Sequence, residues 1–494
     1  MPKSLVPQVF KASSWLMFTR VVITVLSMTS IFILARLLTP EDFGLVAIAS
    51  VVATLLQSMV QIPVSQALIA IKNPTKAHFD TAFTINIIRT TLICLVLLVS
   101  AIPIANFYNE PKVTEILIIF SVAAFADGFI NPKFVIFEKS LNFSYIFFTS
   151  VLSKLLATGA SLAIAYYTQS YWALVIGSVI TQLLNVIFTY YFLPYLPRFS
   201  LKKNKEILSF SVWVSLSHII NNINWKLDQL LIGKFFGTVT LGVYNIGNEL
   251  ASMPTRETTT PLNRALFPAF SQLLHKPERF TQAYLTSISI FYSILLPIGF
   301  GLVLVAEPMV LLALGEKWQG AILVIEILAG IYAVACITSV TKAIAMATGK
   351  TKIIFKRDVL FFIIKVVLSL GGLYIYGFFG LLYSKLLNLI FLLVYNFFLV
   401  RYLLNVGIVQ QLTVLCRPVL SVCVMYFTML LLKSQLTFET TPLDLIIELS
   451  LLCTAGALTY CSCHFLIWIM QGKPQGIEQK LSGIVNKKLK RDTV

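Results

Sequence analysis

Long apolar runs separated by short polar connections dominate the chain. Most of these runs reach or exceed about twenty residues, the length that a helix needs to cross the hydrocarbon core of a bilayer. Alternating segments of about ten residues, typical of membrane β-strands, do not occur in the sequence. The pattern predicts fourteen membrane-spanning helices, at approximately 14–37, 43–70, 81–106, 113–132, 146–168, 171–195, 208–234, 240–270, 281–306, 320–347, 355–377, 379–404, 412–433 and 443–470.

The composition agrees with this pattern. Hydrophobic residues make up 57% of the 494-residue chain and charged residues only 12%, about half the charged fraction of an average soluble protein. We therefore expect an all-α polytopic membrane protein. The formal net charge of +17 would indicate a nucleic-acid partner in a soluble protein; in this chain its meaning depends on where the cations lie relative to the membrane.

The Lys and Arg residues outside the spans predict the orientation. With the N-terminus in the cytoplasm, the inward segments carry twenty-three of them and the outward segments five. This bias follows the positive-inside rule and predicts that both termini are cytoplasmic. The basic tail, 471–494, is then expected to contact anionic headgroups, and no nucleic-acid partner is expected.

An internal repeat indicates how the spans are organised. A shift of 198 residues aligns Trp15 with Trp213, Arg36 with Lys234, Gly44 with Gly242 and Pro63 with Pro261 without a gap. Six spans separate the copies, so both begin on the same side of the membrane, as parallel repeats do. We expect a lobe of six helices in 1–200, a second in 201–405 and two extra helices in 406–470. Such lobes usually enclose a cleft and work by alternating access.

Ionisable and amide side chains inside the spans are the candidates for substrate binding, because such groups are costly in hydrocarbon and normally face a protein interior or a water-filled cavity. Cations predominate among them, and this favours an anionic passenger such as a phosphate ester. Asp127 is a candidate counter-ion for Arg89 or Lys154, and pairing of Glu257 with Arg264 is an alternative to substrate binding. The candidate residues are Arg20, Arg89, Lys154, His218, Asn221, Asn222, Trp225, Asp228, Arg256, Glu257 and Arg264.

Two aligned prolines lie within spans 2 and 8. Pro63 and Pro261 would kink their helices, either as hinges for a rocking motion or as static bends. No nucleophile–base set, metal-ligand pattern or GxxxxGK[ST] phosphate loop occurs in the chain. We therefore expect a protein that is not an enzyme, with no cofactor and no metal site.

Three segments resemble the Wzx-type polysaccharide flippases of bacteria, and the branch of colanic-acid exporters in particular. They are "LARLLTPEDFGLVAIASVV" (34–52), "LLIGKFFGTVTLGVYNIGNELASMPTRETTTPLNRALFPAFSQL" (230–273) and "LGEKWQGAILVIEIL" (314–328). The resemblance implies the fold of the multidrug/oligosaccharidyl-lipid/polysaccharide exporter superfamily. It also implies a location in the bacterial inner membrane and transfer of undecaprenyl-diphosphate-linked oligosaccharide from the cytoplasmic to the periplasmic leaflet. The family has no catalytic motif whose residues could be transferred to this chain.

Two other functions stay open at this point. A cation-coupled drug or metabolite antiporter of the same superfamily would have the same fold, and a membrane glycan polymerase or ligase would be an enzyme. The expected partners are a lipid-linked oligosaccharide and membrane lipids, and polymerase or export machinery is a further candidate. The sequence does not decide between H⁺ and Na⁺ as a coupling ion, or whether there is one.

Overall fold

A computed structural model describes residues 5–60, 62, 64–204, 212–435 and 441–472. Within these ranges the regular structure is helical and no strand occurs. The longer helices are α1 (Leu5–Leu37), α2 (Pro40–Met59), α3 (Val64–Ala70), α4 (Lys76–Tyr108), α5 (Lys112–Asp127), α6 (Val135–Lys139), α7 (Ser144–Thr168), α8 (Trp172–Phe192), α9 (Val212–Leu273), α10 (Pro277–Ala313), α11 (Gly320–Val334), α12 (Ile337–Ala347), α13 (Thr351–Leu404), α14 (Ile408–Gln435) and α15 (Pro442–Met470). Short 3₁₀ turns cover Pro132–Phe134 and Glu316–Trp318.

The number of spans agrees with the prediction. Eleven helices of the described residues are long and apolar enough to cross a membrane, and a bent pair adds a twelfth. Two of the eleven, α9 and α13, contain a non-helical residue, Gly237 and Gly377 respectively. Each is longer than 50 residues, or about 75 Å, enough to cross a 30 Å core twice. Counting each of them as two spans gives the fourteen that the hydropathy pattern predicts.

Both breaks depend on glycine. Gly237 has φ 79° and Gly377 has φ 59°, a left-handed region in which a side chain is strained. Around the second break, a Cβ added to Gly380 would lie 1.9 Å from the carbonyl oxygen of Gly372. The two halves of α13 therefore return past each other at backbone contact distance.

Two predicted spans are not single straight helices. The prediction of one span over 43–70 is wrong in this respect, because α2 ends at Met59 and a separate short helix, α3, follows. The fourth predicted span bends by 60° between Lys112–Asp127 and Pro132–Lys139. Asn131 caps the second part by accepting a hydrogen bond from the Lys133 amide at 3.0 Å.

The chain divides into two compact units, residues 1–245 and 246–494. The first contains α1 to α8 and the part of α9 up to Asn245. The second contains the rest of α9 and α10 to α15. In the second unit α10, α14 and α15 pack together around a core of large apolar side chains, among them Phe291, Leu295 and Met425. The lobes expected from the repeat, 1–200 and 201–405 with two extra helices in 406–470, stay a prediction.

Two glycines that the 198-residue repeat aligns make a reciprocal contact in the first unit. A Cβ added to Gly44 would lie 1.9 Å from the carbonyl oxygen of Thr238, and one added to Gly242 would lie 1.9 Å from that of Pro40. Thr238 is also the repeat equivalent of Pro40. The first turn of α2 and the first turn after the Gly237 break therefore cross with their backbones in contact, as small residues allow in membrane helices.

We expect Gly44→Ala and Gly242→Ala each to destabilise the protein by about 1–3 kcal/mol, the usual cost of overpacking a well-filled contact. The obstacle is a backbone carbonyl, which cannot turn away as a flexible side chain can. The measurement is the midpoint of thermal unfolding of the detergent-purified protein.

Gly159→Ala is the matched control, because Gly159 lies within α7 and a Cβ added there meets nothing within 4 Å. It should leave the midpoint unchanged or raise it slightly. Equal losses for all three variants would contradict a specific contact at Gly44 and Gly242.

Candidate substrate-binding site

Arg89 and Asp127 form an ion pair in the first unit. The Arg89 Nη2 and Asp127 Oδ2 atoms are 3.6 Å apart, and the two side chains are 16% and 34% exposed. The pair forms where α4 and α5 approach closely, since a Cβ added to Gly128 would lie 2.1 Å from the Thr90 Oγ1. Of the two cations that Asp127 could balance, the structure thus places it beside Arg89.

Lys154 lies inside α7 and has neither an ion pair nor a hydrogen bond within the described part of the chain. It is ten residues from the start of this 25-residue helix, about 15 Å along the axis and near mid-depth. Its side chain is half-buried. Ser150 and Thr158, four residues to either side, share its stripe of the helix and are half-buried too. This polar stripe was not among the predicted site residues, although its spacing is present in the sequence.

The candidate residues of span 7 recur at three- and four-residue steps, which predicts one polar helical face, and this face is only partly inside the protein. Asp228 and Gln229 are buried; the Tyr244 hydroxyl donates to Asp228 Oδ2 at 3.4 Å, and Gln229 Nε2 donates to Asn245 Oδ1 at 2.6 Å. These hydrogen bonds tie the two sides of the Gly237 break together. Trp225, by contrast, is 63% exposed. Three further predicted residues of this unit are half-buried, namely Arg20, Asn221 and Asn222.

Arg256 in the second unit has two carboxylate partners from its own helix. Its Nη2 lies 2.7 Å from Glu249 Oε1, two turns earlier, and its Nε lies 3.5 Å from Glu257 Oε1. The group is part-exposed, with side-chain exposures between 25% and 46%. Glu257, which the sequence offered as a partner of Arg264, thus contacts Arg256, and the local charge of the three residues is negative.

In the segment that follows Arg256, the threonine hydroxyls donate hydrogen bonds to backbone carbonyls of their own helix. Thr258, Thr259 and Thr260 donate to the carbonyls of residues 254, 255 and 256 at 2.8 Å. The backbone stays helical at Pro261. Pro63 and the side chains of His218 and Arg264, which the sequence selected, lie outside the described residues.

A network of polar contacts connects the predicted outward ends of the first unit. Lys112 Nζ donates to Glu41 Oε1 at 3.3 Å, and this hydrogen bond raises the pKa of Lys112. Asp42 caps α2 together with Thr39 and also accepts from the Tyr171 amide at 3.1 Å. Lys234 donates to the carbonyl of Phe107 and lies over its ring. These cations have protein partners, in contrast to Lys154.

Two buried arginines were not selected from the sequence. Arg357, 2% exposed, donates to Asp358 Oδ1 at 2.9 Å and to Asn396 Oδ1 at 3.2 Å. Arg417, also buried, donates to Ser289 Oγ at 3.3 Å and connects α14 to α10. No group of three or more His, Cys, Asp or Glu side chains in the described ranges could hold a metal ion.

Comparison with known families decides the assignment. The family model described as polysaccharide biosynthesis protein matches residues 33–323, more than half of the chain. The chain belongs to this family. The match includes the first two of the three segments on which the resemblance rests, and residues 314–323 of the third.

Curated relatives agree with the family. The chain is 28% identical to the succinoglycan biosynthesis transport protein ExoT of Rhizobium meliloti, over 62% of each chain, so the match covers less than two thirds of that protein. It is 22% identical to the teichuronic acid biosynthesis protein TuaB of Bacillus subtilis, over 72% of this chain and 74% of that one. It is 22% identical to the lipopolysaccharide biosynthesis protein WzxC of Escherichia coli, over 72% and 73%.

The chain shares its fold with solved structures of membrane transport proteins. A lipid II flippase, MurJ, in an inward closed conformation is similar with a TM-score of 0.70, at 12% identity, over 94% of this chain and 99% of that chain. An inward-facing multidrug transporter of the MATE family is similar with a TM-score of 0.54, at 14% identity, over 78% and 96%. At these identities the likeness concerns the fold alone.

We expect Asp127→Ala to destabilise the protein by about 1–3 kcal/mol, because it leaves the guanidinium of Arg89 without its carboxylate in a mostly buried position. The double variant Arg89→Ala with Asp127→Ala should lose less than the sum of the two single losses. Thermal unfolding of all three purified variants measures this coupling, and strictly additive losses would contradict the ion pair.

Proposed function

We propose that the protein is a flippase that moves undecaprenyl-diphosphate-linked oligosaccharide repeat units from the cytoplasmic to the periplasmic leaflet, for the biosynthesis of a surface polysaccharide or exopolysaccharide. Membership of the polysaccharide biosynthesis protein family supports the pathway. The relative ExoT is a succinoglycan biosynthesis transport protein, and this supports transport as the step. Alternating access is the mode of movement that parallel repeats suggest.

The observation that carries this proposal is the position of Lys154. An ammonium near mid-depth of a membrane helix is costly unless a partner compensates it, and the described residues supply none. Arg89 and Arg256, in contrast, have carboxylates at 3.6 and 2.7 Å. We infer that the diphosphate of the substrate is the anion that pairs with the Lys154 ammonium, with Ser150 and Thr158 as neighbouring hydrogen-bonding groups.

Several finer points belong to the same proposal. The protein would lie in the bacterial inner membrane with both termini in the cytoplasm, as the distribution of cations indicates. It would carry out no bond chemistry. A polymerase or export complex would receive the translocated units, and the coupling ion, H⁺ or Na⁺, is a separate question for transport assays.

A cation-coupled drug antiporter is the second candidate, and the similarity to a MATE transporter is what favours it. Such a protein needs carboxylates that exchange between a cation and a drug. In the described part of the first unit, Asp127 and Asp228 each already contact a protein donor. The glycan polymerase or ligase has no comparable observation in its favour.

Deletion of the gene tests the proposal directly. The expected result is loss of the surface polysaccharide together with accumulation of the lipid-linked repeat unit on the cytoplasmic side. Drug sensitivity should not change. New drug sensitivity without accumulation of the lipid-linked unit would favour the antiporter, and accumulation of translocated but unpolymerised units would favour the polymerase.

We expect Lys154→Ala to lower export by about ten- to hundredfold, the effect of losing one charge-assisted hydrogen bond of about 1.5–3 kcal/mol. Lys154→Arg should keep most of the activity because it keeps the charge. The measurement is the amount of surface polysaccharide per cell at matched protein levels.

Lys112→Ala is the control for the loss of a cation, because Lys112 is exposed and has Glu41 as its partner. Export should stay within about twofold of the wild type, since exposed ion pairs contribute little. If Lys154→Ala exports normally, Lys154 does not bind the substrate.

Arg256→Ala and Arg264→Ala are expected to lower surface polysaccharide if these arginines contact the substrate. Glu249→Gln separates this role from a structural one, because it weakens the closest partner of Arg256 while leaving the guanidinium in place. Substrate binding predicts export that is maintained or raised in Glu249→Gln. A purely structural ion pair predicts that Glu249→Gln and Arg256→Ala lower export equally.

A further inference from the structure

A segment with almost no regular structure, residues 193–204, follows the end of α8 and is hydrogen-bonded to the rest of the first unit. We call it the strap. Asn131 Nδ2 donates to the Leu193 carbonyl at 2.6 Å, and the Tyr195 hydroxyl donates to Asp80 Oδ1, also at 2.6 Å. The same Asp80 oxygen accepts from the Arg198 amide at 3.0 Å. The backbone of the strap is thus held from one side.

Two further hydrogen bonds extend this attachment along α4. The Ser200 amide donates to Thr84 Oγ1 at 2.8 Å, and the Lys203 amide donates to Thr81 Oγ1 at 3.3 Å. Asp80, Thr81 and Thr84 are all buried, with exposures of 7% or less. A flexible linker would not need hydrogen bonds to buried acceptors at three positions of one helix, so the strap has a fixed position on α4.

The anchor positions indicate the depth of the strap in the membrane. Helix α4 has 33 residues and is about 50 Å long, so about 10 Å at each end extends beyond a 30 Å hydrocarbon core. Asp80 and Thr84 lie four and eight residues into the helix, about 6 and 12 Å from its start. The strap therefore lies against the level at which headgroups meet acyl chains.

Exposed side chains of the strap fit that level, and the ring of one of them, Phe199, also lies 5.8 Å from the ring of Phe83 on α4. Leu196 is 87% exposed and Phe199 is 73% exposed, with Leu201 half exposed between the cations. Arg198 and Lys202 are exposed too, and residues 193–204 contain no acidic side chain. Apolar tips beside cationic groups match an anionic bilayer interface, where the tips enter the acyl boundary and the cations reach phosphates.

We propose that the strap is a binding surface for anionic phospholipids of the inner leaflet. Leu196 and Phe199 insert between acyl chains, while Arg198 and Lys202 bind the phosphates of lipids such as phosphatidylglycerol. Asp80 positions this surface by holding the strap backbone to α4. The proposal depends on the membrane-spanning character of α4 and α8 and not on the transported substrate.

Photocrosslinking of the full-length protein tests the proposal. Phe199 is replaced by p-benzoylphenylalanine, the protein is reconstituted into nanodiscs of phosphatidylcholine with or without phosphatidylglycerol, and adducts are identified by mass spectrometry. We expect a phospholipid adduct, with phosphatidylglycerol preferred over phosphatidylcholine by about tenfold, as two basic residues near an anionic surface should give. The pair Arg198→Gln and Lys202→Gln should reduce this preference to nearly none while the adduct itself persists.

Asn73 is the matched control position, because it is an exposed polar residue of another predicted inward segment. The same photoreactive residue there should give no lipid adduct. A second label at Leu196 guards against local misfolding at Phe199. No lipid adduct at either strap position in a protein with unchanged thermal stability, or adducts with no preference for phosphatidylglycerol, would overturn the proposal.

Discussion

A backbone inside hydrocarbon must satisfy its own hydrogen bonds, and this constraint determines most of the structure. Most helices are long enough to cross the membrane, and short connections join successive helices. At the return before α2, Thr39 and Asp42 bond each other's backbone amides, and Asp42 also accepts from Tyr171. At Gly237 and Gly377 the turn takes a single non-helical residue, which has to be glycine because φ is positive.

The same constraint applies to charged side chains and separates structural cations from a candidate functional one. Arg357 has Asp358 and Asn396 as partners in a fully buried position. At predicted inward ends, Lys133 lies over the ring of Tyr195 in the first unit, and Lys350 lies over that of Tyr402 in the second. Lys154 differs from all of these because the described residues provide neither a counter-charge nor an aromatic ring for it, and this difference is the basis of the proposed anionic substrate.

Hydropathy predicted the spans well because the backbone constraint acts on every residue of a crossing. It could not predict that the second span breaks after Met59, since apolar residues continue across the break. Nor could spacing select the ion pairs. Glu249 with Arg256 and Glu257 with Arg264 have the same seven-residue separation, and only the coordinates bring Glu249 to 2.7 Å from Arg256. Periodicity puts Trp225 on the polar face of span 7, whereas its exposure depends on which neighbours α9 meets.

The contact between Gly44 and Gly242 has an implication for the origin of the chain. Gly44 lies against the carbonyl of Thr238, four residues before Gly242, and Gly242 lies against the carbonyl of Pro40, four residues before Gly44. Exchanging the two repeats therefore gives the same contact. A contact with this property is isologous, so two separate copies of a half-length protein could form it with one and the same surface. A fusion of two such copies into one chain would therefore need no new interface between them.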